Sequence, residues 1–287
     1  MRIVTTIAEA RAAVRALRDA NQAGSIGFVP TMGALHAGHM SLVCAARGQC
    51  DAVVVSIFVN PTQFGPNEDF AKYPRTFEQD CALLESEGVD LLFAPSADEM
   101  YPLGASTFVD VEGVSGRLDG LSRPGHFRGV STVVAKLFHV LAPDKAFFGQ
   151  KDAAQVAVLR KMVRDLHFSL ELLVCPIKRE ADGLAMSSRN RYLSPEERRR
   201  ALVLSKALRR VEELVSENVV AAPALIDAAL AVLAGEPEVR VDYCKIVDPE
   251  TLEDVADVRK GALAAVAAVV GTTRLIDNTV IAPLVTA

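Results

Sequence analysis

The chain of 287 residues has no tryptophan, few aromatic residues and no excess of basic residues, since 36 acidic residues outnumber 31 basic ones. A formal net charge of −5 argues against a nucleic-acid-binding surface, because such surfaces draw their affinity from clustered Lys and Arg. The one basic run, Arg198-Arg199-Arg200, opens a predicted helix, where a solvated face is the ordinary explanation. We therefore expect no nucleic-acid partner.

Cysteine is scarce and shows no pattern. The five cysteines are odd in number, widely scattered and without the spacing of a metal site or a disulfide framework. No apolar run reaches about 18 residues, and the N-terminus lacks the basic and then apolar layout of a signal peptide. We therefore expect a cytoplasmic protein with reduced thiols and no membrane partner.

From residue 25 to about residue 177, short apolar runs alternate with longer segments that have apolar residues at three- and four-residue spacing. This alternation is typical of βαβ units and predicts an α/β fold, a Rossmann-like doubly wound parallel sheet. Strands are predicted at 26–29, 52–58, 91–94, 146–148 and 170–174, and helices at 39–49, 76–87, 130–141 and 153–166. Ligands of such sheets bind beyond the carboxyl ends of the strands.

After residue 178 the pattern changes to that of a smaller C-terminal α+β domain. Ser194-Pro195-Glu196-Glu197 is a helix-start signal, with an N-cap, a proline in the first turn and then acidic residues. A second helix is predicted at 223–234, followed by β segments at 239–247, 264–270 and 274–281. We therefore expect two domains, a catalytic domain at 1–177 and a smaller domain at 178–287.

Two histidines lie in the loop that leaves the first strand. In the string Pro-Thr-Met-Gly-Ala-Leu-His-Ala-Gly-His of residues 30–39, His36 and His39 share one face of a helix start. The backbone N–H groups and the positive dipole end there favour an anion such as phosphate, to which imidazoles can donate hydrogen bonds. Capping or packing is the alternative for any two histidines, but here two of only five lie in one glycine-containing loop. The chain has neither a P-loop nor a dinucleotide-binding fingerprint.

The H-x-G-H sequence after a strand resembles the signature of the nucleotidylyltransferase superfamily, and the longer string resembles the pantothenate synthetase family. The resemblance is dense from about residue 25 to about residue 193 and only general beyond it. It implies an ATP-dependent ligase that condenses pantoate with β-alanine through a pantoyl adenylate, releasing AMP and pyrophosphate, with Mg²⁺ assisting. Further segments that resemble the family follow in order: Ser-Ile-Phe-Val-Asn-Pro-Thr-Gln-Phe at 56–64, Tyr-Pro-Arg-Thr at 73–76, Arg-Pro-Gly-His-Phe-Arg-Gly-Val at 123–130, Phe-Phe-Gly-Gln-Lys-Asp at 147–152 and Asp-Gly-Leu-Ala-Met-Ser-Ser-Arg-Asn at 182–190.

The resemblance also implies roles for particular residues. The catalytic groups would be His36, His39, Lys151, Ser187, Ser188 and Arg189. ATP would be bound by Met32, Gly33, His39, Gly149, Lys151, Asp152, Met186, Ser187 and Arg189, with Gly149 and Asp152 at the ribose. Pantoate would be bound by Met32, Gln63 and Gln155, and β-alanine would enter near Asn60, Tyr73, Arg123 and His126. Asp80 is the candidate contact for Mg²⁺, through the ATP phosphates and water.

Several of these residues also have a plainer interpretation. Lys151 could be a surface lysine, Asp152 a helix N-cap and Asp80 a surface residue of a helix. Asn60-Pro61 is a common turn, and Met32 is a common core residue. The surrounding Gly149 and Asp152 favour the functional interpretation of Lys151, whereas both interpretations of Asp80 stay open.

Two segments depart from the family's pattern. After Asp152 the family often has an aromatic residue and two glutamines, whereas this chain has Ala153-Ala154-Gln155. Lys178 stands where an apolar residue beside the adenine is common, so the adenine contact stays open. Neither change touches the groups assigned to the phosphates or the carboxylate.

Two other functions compete with the ligase. A nucleotidylyltransferase that joins AMP to a phosphate would need a cationic second site, whereas Asn60, Gln63 and Gln155 are neutral. A non-catalytic nucleotide-binding protein of the same fold would not need His39, Lys151 and Arg189, which are all present. The resemblance further implies a homodimer, and we expect the C-terminal domain to be a lid that closes residues 187–189 over ATP.

Overall fold

The computed structural model of the chain describes residues 1–20, 24–66 and 68–284. It separates into two compact units. The first unit comprises Met1–Gly149 and Val158–Pro176, and the second comprises Gln150–Ala157 and Ile177–Ala287. The main boundary between the units falls between Pro176 and Ile177. Residues 150–157, which the sequence analysis places in the first domain, belong to the second unit.

The first unit is built on a six-stranded sheet in the order β1-β4-β3-β2-β5-β6, and every strand pair in it is parallel. This sheet with its intervening helices confirms the predicted Rossmann-like α/β fold. The strands are β1 (Arg2–Val4), β2 (Ile26–Thr31), β3 (Ala52–Ile57), β4 (Leu91–Phe93), β5 (Lys145–Gly149) and β6 (Glu171–Cys175). The helices are α1 (Ile7–Ala20), α2 (Ala37–Arg47), α3 (Phe77–Ser86), α4 (Ala97–Met100), α5 (Asp119–Ser122), α6 (His126–Leu141) and α7 (Ala153–Asp165), of which α7 begins in the second unit.

Burial explains why the central strands are nearly continuous apolar runs. All but one residue of β2 and of β3 are buried, as expected for parallel strands covered on both faces. Phe28, Phe93 and Phe147 are among the largest fully buried side chains. The strand order reverses between β2 and β5, because the chain moves from β2 to β3 on one side and from β5 to β6 on the other. The carboxyl ends of β2 and β5 therefore flank the topological switch point, where ligands of such sheets bind.

The first strand and the first helix were missing from the prediction. β1 has only three residues and pairs at the sheet edge with β4, so its pairing partner lies about 90 residues away and no local period announces it. α1 is amphipathic and buries Ala10, Ala13 and Val14, an alanine-rich face that is a weak hydrophobic signal.

The second unit combines two helices with a three-stranded antiparallel sheet in the order β7-β8-β9. This unit matches the predicted smaller α+β fold. Its elements are α8 (Pro195–Ser216), α9 (Ala222–Leu233), β7 (Val239–Val247), β8 (Ala262–Val270) and β9 (Thr273–Ile281). A capping box begins α8, in which the Ser194 hydroxyl accepts from the Glu197 N–H and the Glu197 carboxylate accepts from the Ser194 N–H. Among the described helices, none has the length and apolar character needed to cross a membrane.

Candidate active site

A tightly held turn leaves the carboxyl end of β2. Gly33 and Ala34 both have positive φ, at 79° and 50°, a conformation that glycine adopts freely and alanine only at a cost of about 1 kcal/mol. The N–H groups of Ala34 and Leu35 donate to the two carboxylate oxygens of Asp80, at 2.9 and 2.8 Å. The Thr76 hydroxyl donates to the same carboxylate at 3.1 Å, and Asp80 is only 2% exposed. The buried carboxylate therefore fixes the backbone that leads into α2.

Two imidazole rings stand at the start of α2. His36 is the N-cap residue, and its Nδ1 accepts a hydrogen bond from the Gly38 N–H at 3.1 Å. A neutral His36 ring therefore carries its proton on Nε2 and is a donor there. The His36 and His39 ring centroids lie 4.1 Å apart, with 36° between the ring planes. Together with the helix N-terminus, the two rings form a site suited to an anion at the switch point of the sheet.

A network of neutral groups follows β3. Asn60 is 1% exposed, and its Nδ2 donates to Gln63 Oε1 at 3.0 Å and to the Gly129 carbonyl at 3.2 Å. Its Oδ1 accepts from the Tyr101 hydroxyl at 2.8 Å. Gln63 is half-buried, and its Nε2 lies 3.2 Å from the Met32 sulfur. The structure thus brings together Met32 and Gln63, which were predicted as pantoate ligands, while Asn60 orients Gln63.

Arg123 and His126 form a second network around the backbone of Gln63. The Arg123 guanidinium donates to both carboxylate oxygens of Glu68, at 2.7 and 2.6 Å. Its Nη1 lies 3.0 Å from His126 Nε2, and His126 Nδ1 lies 2.8 Å from the Gln63 carbonyl oxygen. Burial raises the pKa of Glu68, but the hydrogen bonds and the charge of Arg123 outweigh it and leave that pKa below its ordinary value. Glu68 is the partner that sequence reasoning missed, since nothing local marks it.

Tyr73 is buried in the same region. Its ring packs edge-on against Phe64, with the ring centroids 6.0 Å apart. Tyr73 therefore packs beside the chain neighbour of Gln63, whereas Asn60 and Arg123 contact Gln63 directly.

The side chains of the described residues do not form a metal site of their own. Among residues 1–20, 24–66 and 68–284, no group of three His, Cys, Asp or Glu side chains is placed to hold one. Both oxygens of Asp80 accept bonds from N–H groups of the turn. This environment fits Mg²⁺ bound through ATP phosphates and water, because Mg²⁺ keeps much of its hydration shell. A contact between Asp80 and Mg²⁺ stays a prediction.

The segment that follows β5 carries the predicted lysine. Gly149 ends β5, and apart from Gly149 and its two chain neighbours no heavy atom of the described residues lies within 4 Å of the position that a Cβ would take there. A ligand can therefore approach the backbone at Gly149. In the second unit, Lys151 Nζ lies 3.5 Å from Asp152 Oδ1, with the lysine side chain 21% exposed and the aspartate side chain 50% exposed. Gln155 is half-buried in the first turn of α7, after the buried Ala153 and Ala154.

The predicted serine–arginine segment closes a small hairpin of the second unit. Arg179 bridges Ala185, and the Met186 N–H donates to the Lys178 carbonyl at 2.9 Å. Ser187 is the N-cap of a short 3-10 helix, Ser188–Tyr192, and its hydroxyl accepts from the Arg189 N–H at 3.3 Å. The Lys178 side chain is exposed, and Ser188 is buried.

Charged side chains anchor this hairpin. Arg179 donates to both oxygens of Asp277 on β9, at 2.6 and 3.0 Å. Arg198 of α8 donates to Glu180 at 2.8 Å and to Asp182 at 2.7 Å. None of these anchors was predicted, because each joins residues far apart in the chain.

The comparisons with known proteins agree over nearly the whole chain. A family model described as pantoate-beta-alanine ligase matches residues 2–280. The pantothenate synthetase of Acidobacterium capsulatum is 67% identical over 287 residues, covering 97% of this chain and 96% of that protein. The pantothenate synthetase of Koribacter versatilis is 62% identical over 281 residues, covering 98% of this chain and 96% of that protein.

Solved structures show the same similarity. A pantothenate synthetase from Thermus thermophilus has a TM-score of 0.94 and 50% identity, covering 99% of this chain and 100% of that chain. A pantoate-beta-alanine ligase from Francisella tularensis, complexed with beta-gamma ATP and beta-alanine, has a TM-score of 0.80 and 33% identity. That match covers 98% of this chain and 97% of the other.

The parallel sheet and the histidine-bearing helix start, together with these relatives, place the chain among the adenylate-forming α/β ligases. The chain belongs to the pantoate-beta-alanine ligase family. The reaction of that family is the ATP-dependent condensation of pantoate with β-alanine through a pantoyl adenylate, which confirms the activity predicted from the sequence.

Proposed function

We propose that this chain joins pantoate to β-alanine by using the histidine turn of the first unit and the Lys151 and 187–189 segments of the second unit to bind ATP. In the first step a pantoate carboxylate oxygen attacks the α-phosphorus, and pyrophosphate leaves. In the second step the β-alanine amine attacks the acyl carbon, and AMP leaves with the oxygen that pantoate contributed. One observation carries this proposal: the paired rings of His36 and His39 stand at a helix start whose preceding turn is held by Asp80.

The triphosphate requires donors and positive charge. We assign this role to His36, His39 and the N-terminus of α2, where N–H groups and the helix dipole favour phosphate oxygens. Lys151, Ser187, Ser188 and Arg189 supply further charge and hydroxyl donors to the leaving pyrophosphate. Met186 and Gly33 border the nucleotide, and Gly149 with Asp152 binds the ribose. The protein acts by alignment and electrostatics, without a covalent enzyme intermediate.

Pantoate is a small hydroxy acid, and a neutral amide site suits it. Gln63 is half-buried between Met32 and Asn60, which holds its amide in one orientation. We assign pantoate binding to Met32, Gln63 and Gln155. A phosphate acceptor would need a free cation at this place, yet the nearby Arg123 is already paired with Glu68.

Asn60, Tyr73, Arg123 and His126, which are assigned to the β-alanine neighbourhood, have a supporting role. Arg123 and His126 contact each other and the Gln63 carbonyl oxygen. Asn60 donates to the side-chain oxygen of Gln63, and Tyr73 packs against the neighbouring Phe64. We propose that they shape the entry path of the amine and fix Gln63, while the amine itself meets the acyl adenylate.

Mg²⁺ belongs to the proposal as a partner of ATP, neutralising charge on the phosphates when it is bound. Asp80 would act on it through water and through the position of the turn. We further propose a cytoplasmic homodimer, with the second unit acting as a lid over ATP. Light scattering on the purified chain tests the dimer, and cell fractionation tests the location.

Isotope transfer tests the reaction. With pantoate labelled by ¹⁸O in its carboxylate, one labelled oxygen should appear in AMP, and ATP–pyrophosphate exchange should depend on pantoate. An enzyme that adenylates a phosphate, or a protein that only binds nucleotide, shows neither result.

A matched pair of variants tests the site. Lys151→Met should lower the exchange rate by about 100-fold or more, because a donor to developing charge is lost. Lys161→Met removes a lysine of the same helix region that pairs with Asp165 and should leave the rate unchanged. Equal rates for both variants would contradict the role of Lys151.

A further inference from the structure

Asn278 lies on β9 and contacts the Lys151 segment of the proposed site, which is 127 residues away in the sequence. It is 3% exposed, and its Nδ2 donates to the carbonyl oxygens of Gln150 and Lys151, at 3.0 and 2.9 Å. Its Oδ1 accepts from Gln150 Nε2 at 3.0 Å. Every polar atom of this side chain is therefore bonded to residues 150–151.

These bonds control the backbone on both sides of one residue. The Gln150 carbonyl belongs to the peptide unit that precedes the Cα of Lys151, and the Lys151 carbonyl belongs to the unit that follows it. Fixing both peptide planes fixes φ and ψ of Lys151 and therefore the direction in which its side chain leaves the backbone. The segment is a single 3-10 turn, Gln150–Asp152. The hydrogen bonds of a 3-10 turn have poor geometry, so by themselves they would hold this backbone only weakly.

The strand that carries Asn278 is a firm support. All nine residues of β9 pair in register with β8, and the neighbouring Asp277 accepts from the Asn278 N–H at 2.8 Å. Asp277 also binds Arg179, which begins the hairpin before residues 187–189. Two adjacent residues of one strand thus contact the Lys151 segment and the start of the hairpin that leads to residues 187–189.

We propose that Asn278 is a positioning residue that holds Lys151 in the geometry needed for adenylation. This inference rests on the proposed role of Lys151, and it extends the site to the C-terminal strand. Asn278 does not touch substrate and acts only through the Lys151 backbone.

Asn278→Ala tests the inference. We expect kcat of pantoate-dependent ATP–pyrophosphate exchange to fall about 10- to 100-fold, because small misplacements of a catalytic group are costly. KM for pantoate should change less than kcat, because two of the three assigned pantoate ligands, Met32 and Gln63, lie in the other unit. Thr279→Ala is the matched control: it removes a 2.5 Å bond to Glu212 from the same strand and should leave kcat within about twofold.

A double mutant separates positioning from general stability. In the Lys151→Met background, Asn278→Ala should lower kcat by less than about threefold, because the group that it positions is already gone. If the fall in kcat of the double mutant equals the product of the falls in the two single mutants, the proposal is overturned. If Lys151→Met alone keeps full activity, the proposed role of Lys151 is wrong. That result is distinguishable from a failure of the Asn278 proposal, in which Lys151→Met is inactive but Asn278→Ala is not impaired.

Asn278→Asp gives a comparison at constant volume. It places a carboxylate oxygen against two carbonyl oxygens, so kcat should fall at least as much as in Asn278→Ala. Wild-type kcat in Asn278→Asp would overturn the proposal in favour of packing alone. Failure of both Asn278 variants to fold, read by circular dichroism beside Thr279→Ala, would likewise overturn it in favour of a purely structural role.

Discussion

His126 is a histidine whose hydrogen-bonding partners dictate its tautomer. A guanidinium can only donate, so the bond from Arg123 at 3.0 Å requires His126 Nε2 to accept. The ring proton then lies on Nδ1 and is donated to the Gln63 carbonyl at 2.8 Å. Burial, followed by the charge of Arg123, lowers the pKa of His126 to about 4. At neutral pH this ring is therefore a fixed, uncharged link between Arg123 and Gln63.

The lowered pKa of His126 makes part of the stability depend on pH. In the unfolded chain the pKa is near 6.5, so as pH falls the unfolded state binds the proton first. The contribution of neutral His126 to the free energy of unfolding is complete above pH 6.5. It is lost as pH falls toward 4, by about 1.4 kcal/mol per pH unit. Urea unfolding across this range should show that His126→Asn has a shallower pH dependence than the wild type. His139→Asn, at an exposed histidine of the same helix, should retain the wild-type dependence, and identical slopes in all three proteins would contradict the expectation.

Asp80 offers a second test at the residue scale. Asp80→Asn replaces one acceptor oxygen by an amide that faces N–H groups, so we expect the free energy of unfolding to fall by about 2 kcal/mol. Glu78→Gln is the control, because Glu78 is exposed in the same first turn of α3 and should change stability little. Urea unfolding measures both. Unchanged stability of Asp80→Asn, together with a higher Mg²⁺ requirement, would instead favour a metal contact.

At the scale of elements, the site depends on how closely α6 approaches the turn that bears Gln63. A Cβ added to Gly129 would lie 2.3 Å from the Thr62 carbonyl oxygen and 2.7 Å from the Gln63 Cα. Both neighbours are backbone atoms, so one of the two elements would have to move. Gly129 is therefore the residue that permits this contact, and its carbonyl also accepts from Asn60.

Gly129→Ala should displace the Gln63 turn. We expect a loss of about 1–3 kcal/mol in the free energy of unfolding, as for other overpacked sites, and a raised KM for pantoate. Gly116→Ala is the matched control, since its Cβ would meet no described atom within 4 Å and its φ is not positive. Thermal unfolding and steady-state kinetics measure the two effects. A normal KM in a destabilised Gly129→Ala variant would separate this packing from pantoate binding.

At the scale of the whole molecule, the proposed ATP contacts are divided between two units. Residues 33–39 lie in the first unit, and residues 150–152 and 187–189 lie in the second. The proposal requires ATP to bind segments of both. Binding energy from one ligand would then act on segments of both units.

Hydrogen exchange measures this coupling. ATP with pantoate should slow exchange in residues 33–39 and also in residues 150–152 and 187–189, because bound ligand restricts the opening of both groups of segments. The β7–β8 pairing, with no assigned ligand contact, is the internal reference. Protection confined to one unit would contradict a shared ATP site and the expected lid.

Features that local patterns encode could be predicted from the amino-acid sequence alone. Apolar runs and helical spacing predicted the central strands and most helices, and the predicted β7 bounds agree with the observed Val239–Val247. The histidine turn was recognisable because its residues are contiguous, and the family follows from such contiguous strings. These features are local, so one stretch of chain contains all the information that specifies them.

Which distant residues support the proposed site follows from the packing of the folded chain and not from any local pattern. The bonds from Leu35 to Asp80, from Arg123 to Glu68 and from Asn278 to Lys151 span 45, 55 and 127 residues. Each joins a contiguous motif to a side chain that, in sequence, is one polar residue among many. Such pairs arise only when sheet order and packing bring the elements together, because no period in the chain encodes a contact across that distance.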